Sequence, residues 1–364
     1  MTLVILSIVY FVVLACFVVG IRRGLRRNSV SAISSIVKKV SVVVCARNEE
    51  KNIDECLESL SKLDYPAESL QIVVVDDHSD DRTGERLQYW KTKLTNLEVI
   101  SLRGEPNEGG KVNALIKGIN AAKGEFVFIS DADCEVPAQW IKEYLLYYDE
   151  DTGMVSSVTI LNSNKVSSAV VSIEMMQLLG MSMSGINMGI SVSIIGNNLS
   201  LRRQAYIDIG GYESIPFSVT EDVALFQAMW RSKWKVKFKV NKHLLVRTKP
   251  PGSLASWWRQ KQRWVIGAKE LGFIGWFILA LGYLGMAASI FGFFLLPLQY
   301  AILTLLIKWA GDLLIVFPMA VSLRQKKLLW SFPFYQVYLL FFLVCVPFQY
   351  FQKTVVWKGR DYHT

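Results

Sequence analysis

The residues of this chain best suited to do chemistry are carboxylates that follow apolar runs. In "GEFVFISDADCEVP", residues 124–137, a run that reads as a buried strand stops on Asp131 and Asp133, two carboxylates one residue apart. Such a pair on a strand end suits a hard divalent cation, Mg²⁺ or Mn²⁺, that keeps waters and also holds substrate phosphates. Spacing alone does not decide the matter, because a second Asp-x-Asp runs from Asp149 to Asp151. That one follows "WIKEYLLYY", a helical pattern, and reads as a solvated helix end. Asp is also common in turns and helix caps, so "DAD" has a structural reading beside the functional one.

The elements that must position Asp131 and Asp133 show as two alternating periods. "KVSVVVCA", "LQIVVVDDHS", "LEVISL" and "EFVFISDAD" read as strands, and "EKNIDECLESLSKL", "DRTGERLQYWKTKL" and "KVNALIKGINAA" have helical spacing. A βα repeat with continuously apolar strands predicts an α/β domain with a mostly parallel, Rossmann-like sheet covered on both faces. Ligands of such sheets bind beyond the carboxyl ends of the strands. Three polar clusters follow strands here: "ARNEE" from Ala46 to Glu50, "DDHS" from Asp76 to Ser79, and "DAD" from Asp131 to Asp133. They are expected to converge on one edge. In "DDHSDDRTGE" the bland alternative is a loop in which Asp80 or Asp81 caps the next helix, and His78, with no second histidine nearby, reads as a loop residue.

The chain of 364 residues as a whole is too apolar for an ordinary soluble enzyme, with 52% hydrophobic residues and a mean hydropathy of +0.29. The excess sits at the two ends. Residues 1–20 carry no charge and run straight into Arg22, Arg23, Arg26 and Arg27. Without a basic region ahead of the apolar core, this stretch reads as a retained anchor over 1–21, and a basic juxtamembrane linker, 22–38, puts the following domain in the cytoplasm. The segment 271–352 is apolar apart from Arg324 to Lys327 and the interior charges Lys308 and Asp312, and has room for about three spans. Three crossings place the basic tail, 353–364, outside, against the positive-inside rule. A re-entrant or surface-lying segment is the alternative.

The five cysteines are scattered and lack metal-type spacing, which argues against a disulfide framework or a zinc site. A net charge of +9 raises the question of nucleic acid. Much of that charge flanks apolar spans or sits in "WRSKWKVKFKVNK", an amphipathic strand pattern, so an anionic bilayer surface is the more economical partner and no nucleic acid is expected. The Met-rich "VSIEMMQLLGMSMSGINMGISVS" is polar and interrupted by glycine. It reads either as the lining of a groove for an apolar acceptor or as a helix packed on the sheet or lying on the membrane.

Further pieces follow in order: "GGKVNALIKG" at 109–118, "IGNNLSLRRQAYIDIGGYE" at 195–213, "VTEDVALFQAMW" at 219–230 and "WWRQKQRW" at 257–264. On these motifs the chain, over roughly 39–264, resembles the inverting family-2 glycosyltransferases of GT-A fold. The likeness is to their membrane-integrated branch, which includes cellulose, chitin and hyaluronan synthases and ceramide glucosyltransferase. The resemblance implies a GT-A domain over 39–250, an interfacial segment over 251–270, and the following roles. Ala46, Arg47, Asn48 and Glu49 with Asp76 and Asp77 hold the nucleotide's base and ribose, and Lys111 lies near the diphosphate. Asp131 and Asp133 bind Mg²⁺ or Mn²⁺, Asp131 also touching the nucleotide. Asp222 is the general base, with Glu221 beside it. Arg263 meets the leaving diphosphate, and Gln260 and Trp264 belong to the acceptor subsite.

Chemistry makes the set coherent. Inversion by direct displacement needs one carboxylate on the acceptor side, and the departing diphosphate needs a cation and an arginine. Aromatic faces stack on sugar rings, for which Trp257, Trp258 and Trp264 are candidates. Trp257 and Trp258 have an equal claim to be interface anchors, and Arg259, Lys261 and Arg263 to be a basic membrane-surface stripe. Asn197 and Asn198 shape an acceptor loop or merely turn the chain.

The chain departs from the family pattern in two places: Cys45 stands where the first strand often ends in proline, and the membrane part is short. The second departure favours a single transfer over a polymer-conducting channel. The expectation is a metal-dependent inverting hexosyltransferase in a cell's inner membrane, moving a sugar from a nucleotide-sugar donor, UDP-linked, to a lipid acceptor at the cytoplasmic face. A processive synthase with a glycan acceptor is the alternative, and a non-catalytic membrane scaffold a further one.

Overall fold

The computed structural model describes residues 1–26, 37–103, 110–162, 164–268, 271–350, 354–357 and 360–363. Most of the expected juxtamembrane linker, Gly109 ahead of Lys111, and part of the basic tail lie outside the described residues. The chain forms two compact units. One comprises Arg27–Ile160 and Ile194–Lys249, the other Met1–Arg26, Leu161–Ser193 and Pro250–Thr364. The domain expected over 39–250 is therefore discontinuous, because the Met-rich run groups with the terminal helices.

The first unit is built on a seven-stranded sheet in the order β3-β2-β1-β4-β8-β6-β9. Its strands are β1 Val40–Ala46, β2 Leu70–Asp77, β3 Leu97–Leu102, β4 Phe126–Asp131, β6 Thr152–Ser156, β8 Leu199–Arg202 and β9 Lys235–Phe238. β1 pairs in parallel with β2 and β4, β2 with β3, and β6 with β9, while β8 runs antiparallel between β4 and β6. A short second sheet joins β5 Cys134–Glu135, β10 Val246–Thr248 and β7 Thr159–Leu161.

Helices α2 Ile53–Ser61, α3 Thr83–Lys93, α4 Gly110–Ala121 and α5 Trp140–Leu145 follow β1, β2, β3 and β5 in the chain. Val42, Val44, Ile72, Val74 and Phe128 are fully buried and meet Leu57, Trp140 and Tyr144 in one core. Each such side chain contributes roughly 1.5–3 kcal/mol by leaving water. Phe128, Trp140 and Tyr144 pack ring on ring, with centroids 5.2 to 5.7 Å apart. On the other face, α4 approaches so closely at Gly118 that a Cβ there would lie 2.5 Å from Val43 Cγ1. The unit is completed by α7 Arg203–Asp208 and α8 Glu221–Trp230.

The second unit is helical: α1 Thr2–Leu25, α6 Val166–Asn187, α9 Leu254–Gly267, α10 Phe273–Leu295, α11 Leu298–Ser322 and α12 Phe332–Tyr350, with a hairpin of β11 Thr354–Trp357 and β12 Arg360–His363. Among the described residues, four helices are long and apolar enough to cross a membrane: α1, α6, α10 and α11. Small residues let these helices approach, the usual device where packing rather than water drives association. A Cβ at Gly20 would collide with Ser184 of α6, one at Gly180 with Ile315 of α11, and one at Gly285 with Tyr10 of α1. This close packing gives the glycines and serines of α6 a place among the other helices. The interior charges of α11 are paired: Lys308 Nζ lies 2.6 Å from Asp312 Oδ2, and Asp312 also accepts from Tyr10 and Gln336.

Candidate functional site

Strand register gathers the polar clusters. Parallel pairing of β1 with β2 and β4 sets Ala46 opposite Asp76 and Cys45 opposite Asp131. The chain therefore leaves all three strands at one sheet edge, carrying "ARNEE", "DDHS" and "DAD" together. Burial pushes the Cys45 and Cys134 thiols well above their ordinary range, so neither is a nucleophile at neutral pH.

The first two loops are laced to each other. Asn48 adopts a left-handed backbone, φ 54°, and its amide donates to Ser79 Oγ at 3.0 Å, while its side-chain oxygen accepts the Asp80 amide at 3.0 Å. The Glu49 amide donates to Thr83 Oγ1 at 2.7 Å, and Arg47 Nη1 donates to the Asp77 carbonyl at 3.1 Å. Asp81 accepts the Thr83 amide at 2.9 Å as α3 begins, and also the Glu50 amide at 3.0 Å. Although partial burial works the other way, these hydrogen bonds hold its carboxyl below the usual range. Asp81 thus takes the structural part, and His78, at φ 57° and with Nδ1 2.8 Å from Asp77 Oδ1, is a loop residue bound to its neighbour. Asp76 and Asp77 are buried.

The carboxylates of "DAD" and "TED" are joined by one ammonium. Lys111, in the first turn of α4, places Nζ 2.7 Å from Asp131 Oδ1 and 3.0 Å from Glu221 Oε1. Burial pulls the Lys111 group down, but the two carboxylates outweigh it and hold it charged well above its ordinary range. Asp222 sits in the first turn of α8, where the helix N-terminus favours negative charge. Its Oδ2 accepts the Gly196 amide at 2.7 Å and its Oδ1 the Val223 amide at 2.9 Å. Burial, and then the adjacent Glu221 charge, push its carboxyl up to about 6, against Lys111 and these two amides. A carboxyl with that value is a competent base at neutral pH.

Gly196 is a site residue that the sequence did not single out. A Cβ there would lie 2.9 Å from Asp222 Cβ, so the carboxylate is reached by a backbone that no side chain could bring as near. Its neighbour Asn198 resolves as structural. The buried side chain accepts from Trp140 Nε1 and Tyr144 and donates to the Val158 and Leu244 carbonyls. Asn197 Oδ1 accepts from Thr159 Oγ1 at 2.8 Å.

The residues fit a divalent cation with few protein ligands. Asp131 ends β4 and Asp133 lies in the turn that follows, and among the described residues no group of three His, Cys, Asp or Glu side chains forms a protein-only cage. That donor set suits Mg²⁺ or Mn²⁺ completed by water and phosphate. The other Asp-x-Asp is spent on β9: Asp149 Oδ2 meets Lys237 Nζ at 2.5 Å, and Asp151 pairs with Lys235. Against some burial, hydrogen bonds from Lys237 and Thr152 bring Asp149 down to about 2.

Gln260, Arg263 and Trp264 belong to the helical unit, on α9. Their spacing of three and four puts them on one helix face. Lys261 of that helix is buried, with Nζ 2.5 Å from Glu174 Oε2 of α6. It is therefore not part of a basic surface stripe. Trp257 packs on Tyr338 and Phe341 of α12, with centroids 5.9 and 6.1 Å away.

The chain is similar to known proteins. A profile of the family described as Glycosyl transferase family 2 matches residues 41–210, and one described as Glycosyl transferase family group 2 matches residues 126–356. The probable glycosyltransferase YdaM of Bacillus subtilis (strain 168) is 29% identical over 236 residues, 63% of this chain and 55% of that one. The beta-monoglucosyldiacylglycerol synthase of Synechocystis sp. (strain ATCC 27184 / PCC 6803 / Kazusa) is 28% identical over 235 residues, 64% of this chain and 48% of that one. The match thus spans about half the length of these relatives. In fold the chain is similar to the mannosyltransferase PcManGT from Pyrobaculum calidifontis, solved in complex with GDP-Man and Mn²⁺, at a TM-score of 0.60 and 19% identity over 96% of this chain and 98% of that one. With a GT-A fold and a profile match over more than half its length, this chain belongs to glycosyl transferase family group 2.

Proposed function

We propose that the protein is an inverting hexosyltransferase that moves one sugar from a UDP-linked donor to a membrane lipid at the cytoplasmic face of a cell's inner membrane. The observation that carries this reading is the setting of Asp222, a carboxyl raised to about 6 and aimed by the Gly196 and Val223 amides. In the reaction, the acceptor oxygen bonds to the anomeric carbon as its proton passes to Asp222. The bond from that carbon to the phosphate oxygen breaks, and the nucleoside diphosphate leaves with the electron pair. Ala46 to Glu49, Asp76 and Asp77 hold the nucleoside, and Lys111 is within reach of a phosphate as it exchanges carboxylate partners. Asp131 and Asp133 would hold Mg²⁺ or Mn²⁺, which when bound neutralises the diphosphate. Arg263 meets the departing charge, and Gln260 and Trp264 receive the acceptor.

The lipid acceptor is supported by the four helices of membrane-crossing length and by the likeness to a beta-monoglucosyldiacylglycerol synthase. The test is transfer of labelled sugar from UDP-glucose, UDP-N-acetylglucosamine and GDP-mannose into a lipid extract by the detergent-solubilised full chain, with the anomeric configuration of the product read by NMR. A lipid carrying one sugar of inverted configuration supports the reading. A long water-soluble polymer makes the protein a processive synthase with a glycan acceptor, and retained configuration removes Asp222 from the role of base.

A further inference from the structure

A charged chain runs within the helical unit from α6 to Trp264 of α9, the residue proposed to meet the acceptor. Glu174, on the membrane-length helix α6, and Lys261, on α9, are both buried and meet at 2.5 Å. Tyr338 of α12 donates to the same Glu174 oxygen at 3.0 Å. The Lys261 ammonium then lies 3.9 Å from the centroid of the Trp264 ring, well inside the range of a cation–π contact. Carboxylate, ammonium and indole face thus form one line in which each group fixes the next.

Stability alone is a weak reason for such a pair. Removing two charges from water costs about as much as their attraction returns, and apolar replacements of both partners are often neutral or stabilising. What the pair does supply is a fixed geometry. Gln260, Arg263 and Trp264 all ride on α9, and a helix held by packing alone has many near-equivalent rotations and slides. A charge on α9 with a single counter-charge on α6 selects one of them, and the same charge attracts the ring that the acceptor is to meet.

We infer that Glu174 and Lys261 are positioning residues that set Trp264, and with it the acceptor subsite, through a buried ion pair and a cation–π contact. The inference rests on the reading of α9 as acceptor-side machinery. It extends that reading to a residue 90 positions upstream of Trp264 in the chain, in a stretch with no motif of its own.

The test uses kinetics of the full chain in detergent, with the nucleotide sugar that the parent turns over and 1,2-dioleoylglycerol in mixed micelles as the acceptor probe. A single Glu174→Gln strands an ammonium and risks unfolding, so the informative variant is Glu174→Gln with Lys261→Met, which removes both charges and is expected to fold. The expected result is an acceptor KM raised about tenfold, from loss of a desolvated cation–π contact and of helix register, with donor KM unchanged. Lys261→Arg, which keeps the charge and the ring contact, is expected to stay within about threefold of the parent.

A double variant with the parent's acceptor KM and an unshifted melting temperature overturns the inference, because the pair then sets nothing. Equal rises in donor and acceptor KM also overturn it, since they signal general loosening. Failure of the underlying reading looks different: the parent itself fails to use the lipid, or Trp264→Ala leaves the acceptor KM where it was.

Discussion

Two regions of this molecule hold lysine and carboxylate at close range, and they differ in what surrounds the pair. At the sheet edge, Lys111 bridges Asp131 and Glu221 with side chains 16%, 30% and 13% exposed. Between the helices, Lys308 and Asp312 are 4% and 2% exposed, and the remaining valences are met by Tyr10, Gln336 and Gln177. The first cluster can trade a protein partner for a phosphate or a cation. The second has already spent its hydrogen-bonding capacity on joining four helices, α1, α6, α11 and α12. On the proposed reading, charge pairs of the same chemistry serve a ligand in one place and helix register in the other, and exposure together with open valence separates them.

Breaking each region should give opposite signatures. Asp133→Asn is expected to lower turnover by roughly 10²- to 10³-fold while leaving the melting temperature within a degree or two, because a divalent cation held there supplies several kcal/mol of charge stabilisation. Addition of EDTA to the parent should reproduce the loss, and excess Mn²⁺ should reverse it. Activity without metal in both contradicts the site. Lys308→Met leaves Asp312 buried without its cation and is expected to cost about 3–5 kcal/mol of stability, seen as a lower melting temperature in detergent. Adding Asp312→Asn should recover much of that. A melting temperature that does not move shows that the pair carries no structural weight.

A pH profile sharpens the comparison further. Because Asp222 must be ionised to accept a proton and its carboxyl is raised to about 6, kcat/KM should be flat above that value. It should fall tenfold for each pH unit below it, where the base is protonated. A profile that stays level down to pH 4.5 excludes Asp222 as the base. The smallest effect is expected from Asp151→Asn, in the Asp-x-Asp that pairs with β9. Solvent screens this exposed ion pair, so the melting temperature should stay at the parent's and turnover should equal the parent's. Loss of turnover there shows that context does not distinguish the two Asp-x-Asp pairs.

Much of the sheet edge was legible in the chain, because strand periodicity fixes where a strand ends and parallel pairing then stacks those ends. "VCAR", "VVDDHS" and "ISDAD" needed no long-range information beyond that. The place of α6 was not legible. Its serines, glycines and methionines lower its hydropathy, yet these small and adaptable residues let α1 and α11 pack against it at Gly20, Gly180 and Ser184. Helix association through small residues has no one-dimensional signature as strong as an apolar run.

The same reason hid the partners of lone charges. Nothing in the Met-rich run singled out Glu174, and Lys261 read as part of a basic surface stripe; only the fold shows that they belong to one another. Gly196 was hidden differently. Its function is to have no side chain against Asp222, which is a property of the approach and not of the residue's own chemistry.

The central claim is that Asp222 is the base of a glycosyl transfer, and release of nucleoside diphosphate tests it most directly. The detergent-solubilised full chain is supplied with UDP- and GDP-sugars, Mn²⁺ and lipid extract, beside Asp222→Asn, a change that keeps size and one hydrogen-bond acceptor but removes the charge. The account predicts lipid-stimulated release from one donor by the parent, and a loss of about 10²- to 10⁴-fold in the variant, with donor affinity retained. Turnover in Asp222→Asn equal to the parent's contradicts the account and leaves the carboxylates of this sheet edge with a structural task alone.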